Sequence, residues 1–134
     1  MNGAIFADAS FYAAIINERD ELHAQAQLAA QRLVSSLVTT EFVLLEVANF
    51  CSRGKQRGVF ARLVTNLRSA AAVEIVPASA ELFQRGLTLF ASRGDKEWSL
   101  TDCSSFVVMQ ERQITEALTA DHHFEQAGFA ALLS

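Results

Sequence analysis

The chain has 134 residues, 51% of them apolar, which suffices for one domain with a buried core and falls short of two ordinary ones. A formal charge of −4 excludes a broadly basic nucleic-acid coat, yet setting aside four acids singled out below leaves 11 acidic against 11 basic residues. The N-terminal Met-Asn-Gly-Ala-Ile-Phe-Ala lacks the pattern of a signal peptide, and no apolar run approaches the roughly 18 residues of a membrane span, so a soluble, cytoplasmic protein is expected.

Short apolar runs alternate with longer helical patterns, the arrangement of βαβ units around a parallel sheet. Residues 4–7 read as a first buried strand. Ser10 is placed to cap a helix reaching about Glu18, and a Gln-rich second helix spans about Leu22 to Val34. Leu37 to Thr39 reads as the second strand. From Thr40 to Ser52 the pattern is helical and apolar on most sides, which predicts a largely buried helix ended by Gly54. A further helix is expected from Gly58 to about Ala70, then a third strand at Val73 to Val76, closed by Pro77. Ser79 should cap an amphipathic helix with Leu82, Phe83, Leu87 and Phe90 inward. A helix over Leu100 to Arg112, a fourth strand at Ala117 to Thr119, a helical turn after Asp121 and an apolar stretch at Phe129 to Leu133 follow. Cys51 and Cys103 lack zinc-site spacing and read as buried small hydrophobes.

Four acids carry the chemistry. Asp8 directly follows the first strand and Asp121 follows the fourth, so both stand at carboxyl ends of strands, where open parallel sheets bind ligands. Glu46 has Phe42, Val43 and Phe50 as its helical neighbours, an expensive place for a charge unless a cation or an arginine offsets it. Asp102 follows Ser99 by three residues and suits a helix cap equally well. Together such carboxylates suit hard Mg²⁺ or Mn²⁺, the ions of phosphodiester hydrolysis.

Phe6-Ala7-Asp8-Ala9-Ser10, Thr39 to Val47 around Glu46, Trp98 to Cys103 around Asp102 and Leu118 to Phe124 around Asp121 occur in an order and spacing that resemble the PIN-domain family, especially VapC-like toxins. The resemblance spans nearly the whole chain. It implies a three-layer α/β/α fold with a central parallel sheet of four to five strands, as a single domain over residues 1–134. It also implies that Asp8, Glu46, Asp102 and Asp121 form an acidic quartet holding Mg²⁺ or Mn²⁺, with Ser10 as an auxiliary hydroxyl. The implied activity is RNA cleavage, by a homodimer inhibited by a small antitoxin. Trp98 and the His122-His123 pair are not general features of the family.

Arg53, Lys55, Arg57, Arg62 and Arg68 form a basic stretch free of acids, suited either to RNA phosphates or to a solvated helix face; Arg53, Lys55 and Arg57 are the leading RNA contacts. His122 and His123 could shuttle a proton but read more simply as exposed loop residues. Glu41 reads as a dipole-stabilising acid and Asp95 as a loop acid. Phe11, Phe60 and Leu63 suit the core better than a partner surface. Two rival functions stay open: a phosphohydrolase or phosphoryl acceptor using Asp8 as nucleophile, and a non-catalytic module on the same fold. The first lacks a second Asp two positions on, where Ser10 stands, and has only Lys55 and Lys96 as lysines.

Overall fold

The computed structural model describes residues 3–33 and 35–134. Five strands form one parallel sheet in the order β3-β2-β1-β4-β5: β1 is Ile5–Ala7, β2 Leu37–Thr40, β3 Val73–Val76, β4 Glu116–Leu118 and β5 Ala130–Ala131. Helices α1 (Ala9–Ile16) and α2 (His23–Arg32) link β1 to β2; α3 (Glu41–Phe50) and α4 (Lys55–Ser69) link β2 to β3. Helices α5 (Ala80–Ser92) and α6 (Leu100–Glu111) carry the chain back past β1 to β4, and α7 (His122–Gln126) leads to β5. The result is the expected three-layer α/β/α fold.

The chain leaves β1 toward β2 on one side and returns to pair β4 on the other. Loops after β1 and β4 therefore diverge, and a crevice opens between their carboxyl ends. Phe6, Ala7, Ala117 and Leu118 on these central strands are almost wholly buried, as parallel strands covered on both faces require. Trp98, Phe106 and Phe124 pack edge to face beneath them, with ring centroids 5.1 and 4.9 Å apart.

Several boundaries differ from the sequence expectation for local reasons. The first helix has Asp8 at its N-cap position without a side-chain cap and ends at Ile16; the Ser10 hydroxyl turns to Asp8 and Thr119 instead of to a helix N–H. The second helix ends at Arg32, and the expected terminus Val34 lies outside the described residues. Thr40 belongs to β2 and caps α3 by accepting the Val43 N–H. Gly54 does not end α3; with φ of +57° it starts α4, three residues earlier than the periodicity suggests. Helix α3 is less buried than its composition predicts, since Leu45 and Phe50 are 61% and 64% exposed. Phe83 and Phe90 of α5 likewise face outward, each 45% exposed, while Leu82 and Gly86 face in. β4 starts and ends one residue earlier than expected. Both cysteines are buried and unpaired, and Phe11 lies in the core.

Candidate active site

Asp8, Glu46, Asp102 and Asp121 all line one cavity of about 250 Å³ at the crevice between β1 and β4. No arginine or lysine lines it among the described residues, so the arginine partner considered for Glu46 does not stand here. Ser10 borders the cavity, and so do Asp20 and Phe50, neither of which the sequence had singled out.

Asp8 is 6% exposed and still sits on the central ladder, where its backbone N–H donates to Leu118 O at 3.2 Å. Its Oδ2 accepts hydrogen bonds from the Thr119 hydroxyl at 2.8 Å and the Ser10 hydroxyl at 3.2 Å. Thr119, fully buried, in turn accepts the Asp121 N–H at 3.0 Å. One hydroxyl thus locks the acid after β1 to the backbone that presents the acid after β4. Burial raises the Asp8 pKa above the ordinary carboxyl range and the Asp102 charge adds to this, against the lowering effect of the Thr119, Ala9 and Ser10 donors.

Asp102 is a cap and a cavity residue at once. Its N–H donates to Ser99 Oγ, and its Oδ2 accepts the Ser99 N–H, each at 3.0 Å, a reciprocal capping box. The same Oδ2 lies 3.1 Å from His123 Nδ1, which is also 3.4 Å from Asp121 Oδ1. An ionised carboxylate can only accept, so this arrangement calls for the Nδ1–H tautomer or the doubly protonated ring. Burial raises the Asp102 pKa first and the Asp121 charge second, while the Ser99 N–H and His123 lower it. Asp121 caps α7 through the His123 N–H at 2.9 Å.

Glu46 projects from α3 and is half-buried. Its pKa is raised by burial and then by the charges of Asp8, Asp102 and Asp121, against a hydrogen bond from Thr101. Burial and mutual repulsion thus disfavour full ionisation of the cluster, and an all-oxygen donor set is what a hard divalent cation accepts. The residues present fit such an ion. Asp121, His122 and His123 also place one ligand atom each within 4.8 Å of one another. His122 is exposed, as expected, whereas the His123 side chain is only 19% exposed and bridges two of the acids.

The basic stretch does not enter this cavity. Arg53, Lys55 and Arg57 are exposed around the start of α4, where Arg57 Nη1 donates to Ser52 O at 3.0 Å. Lys55 does not border the acids, and neither does Lys96. Nothing in the sequence marked Asp20, which lies in the turn between α1 and α2.

The PIN domain family model matches residues 5–130. The chain is 29% identical over 127 residues to the 23S rRNA-specific endonuclease VapC20 from two strains of Mycobacterium tuberculosis, covering 93% of this chain and 95% of the relative. It is also similar to the crystal structure of Mycobacterium tuberculosis VapC20, described as a Sarcin-Ricin loop cleaving toxin. There the TM-score is 0.83 at 27% identity, over 94% of this chain and 96% of the other.

Proposed function

Because the chain belongs to the PIN-domain family, we propose that it is a divalent-metal-dependent endoribonuclease and the toxin of a toxin-antitoxin pair. The observation that carries the reading is the convergence of five carboxylates, the quartet and Asp20, with no Lys or Arg among the described lining residues, on one cavity at the sheet's switch point. Asp8, Asp102 and Asp121 would hold Mg²⁺ or Mn²⁺, and Glu46 would complete the ligand set or orient a water. When bound, the ion supplies Lewis acidity toward the phosphate and lowers the pKa of a water.

The chain's own residues supply position. Thr119 and Ser10 fix the Asp8 oxygen they share, the capping box and His123 fix Asp102, and the start of α7 fixes Asp121. These outer hydrogen bonds orient the carboxylates before any ligand arrives. Arg53, Lys55 and Arg57 would contact RNA phosphates beside the cavity. The partly exposed side chains of Leu45, Phe83 and Phe90 offer apolar surface for a homodimer contact and a small antitoxin. No helix among the described residues is long and apolar enough to cross a membrane, in keeping with action in the cytoplasm.

The test is cleavage of a labelled RNA stem-loop carrying the sarcin-ricin sequence, alongside an unrelated single-stranded RNA, with Mg²⁺, with EDTA, and with Mn²⁺ restored. Metal-dependent internal cleavage is expected. Absence of cleavage on both RNAs, with calorimetry showing that Mg²⁺ binds, would favour a non-catalytic module.

A further inference from the structure

A second cavity, about 400 Å³, adjoins the acid cleft and shares Ala13, Asp20 and Phe50 with it. Phe50 stands four residues after Glu46 on α3, hence on the same helix face one turn along, and its side chain belongs to both walls. Ile16 and Val47 supply apolar lining, while Asn17 and Gln56 supply carboxamides. Asn17 Oδ1 accepts the Arg19 N–H at 3.1 Å, but its amide N–H groups, and the whole Gln56 carboxamide, have no partner among the described residues. Arg53, Lys55 and Arg57 flank Gln56 at the start of α4.

A lone exposed phenylalanine needs no explanation. This ring differs in its setting: it separates the acid cleft from a roomier cavity with unpaired amides, beside the basic stretch. We propose that the second cavity is a subsite for one unpaired RNA base, stacked on Phe50 and met at its edge by Asn17 and Gln56, with the following phosphates passing toward Arg53, Lys55 and Arg57. Protein recognition of single-stranded RNA relies on such stacking, and a base anchored one helical turn from Glu46 fixes which phosphate reaches the acids. The assignment rests on the nuclease reading, and a protein partner covering Phe50 is the competing occupant.

The probe is a single-stranded 2′-O-methyl octanucleotide, resistant to cleavage, with 2-aminopurine placed at each position in turn and Mg²⁺ present. Wild-type protein should quench one position selectively. Phe50→Ala should abolish that quenching and raise Kd about 5- to 150-fold, while Phe50→Trp retains both. An abasic site at the quenched position should make Phe50→Ala silent. Unchanged Kd and quenching in Phe50→Ala overturn the subsite, and so does a variant whose only defect, by light scattering, is in self-association or antitoxin binding. Selective quenching without cleavage of unmodified RNA would refute the nuclease and leave the subsite standing; cleavage without quenching would do the reverse.

Discussion

Replacing Asp8 by Asn separates the stability of the acid cluster from its use. The side chain keeps its shape, and its remaining carbonyl oxygen can still accept from Thr119 and Ser10, so folding should be preserved. What disappears is a charge that is 6% exposed and faces Asp102 and Glu46. Two carboxylates about 6 to 8 Å apart repel by roughly 2 to 3 kcal/mol at an effective dielectric near 20, part of which relaxation of the surroundings offsets. We expect metal-free Asp8→Asn to be more stable than wild type by about 1 to 2 kcal/mol at pH 8, a rise of roughly 3 to 8 °C in Tm. A carboxyl whose folded-state pKa is raised binds its proton more tightly when folded, so metal-free wild type loses stability as pH rises from the unfolded carboxyl pKa, about 3.9, through the folded one. The advantage of the variant should therefore be largest at pH 8 and fade as pH falls toward 4. Urea unfolding in EDTA across that range measures it, and cleavage assays with Mg²⁺ should show activity abolished. Equal stability at pH 8, or retained cleavage, would refute the reasoning.

Thr119→Val removes the hydroxyl that donates to Asp8 and accepts from the Asp121 backbone, with little change of shape. Mg²⁺ affinity should fall about 10- to 100-fold, read as a shift in the metal dependence of cleavage while the fold is retained. Gly86→Ala would place a Cβ 3.2 Å from the Ser104 backbone N and Cα, two residues past Asp102, where α5 and α6 pack closely. Alanine is the better helix former by up to about 1 kcal/mol, yet forcing rigid backbone apart should leave a net loss of about 1 to 2 kcal/mol, seen as a lower urea midpoint with unchanged m. A midpoint at or above wild type would show that α6 yields without cost.

The alternation of apolar runs with helical patterns made the sheet and its crossovers legible, because strands buried on both faces must be uniformly apolar. The acids were legible for a different reason: the positions of Asp8 and Asp121 after strands, and the order of all four along the chain, survive translation into one dimension. Exposure was not. Periodicity reports that Leu45, Phe50, Phe83 and Phe90 are apolar but not whether another element covers them, and here none does so fully. Thr119 reads as an ordinary strand residue until β4 is paired with β1, and His123 reads as a loop residue until α7 brings it to Asp102. Such roles arise only from contacts between distant segments.

The hydroxyl bridge from Thr119 to Asp8 joins residues 111 apart in the chain. Its consequence is temporal. During synthesis the first strand is exposed early, but its neighbour β4 and the acid beyond it arrive only after β2, β3 and six helices. A nascent chain on the ribosome, or one truncated before Thr119, holds Asp8 with neither its locking hydroxyl nor Asp121. The cleft is therefore complete only once the chain has been made through Asp121, and no copy that stops short of that residue carries it.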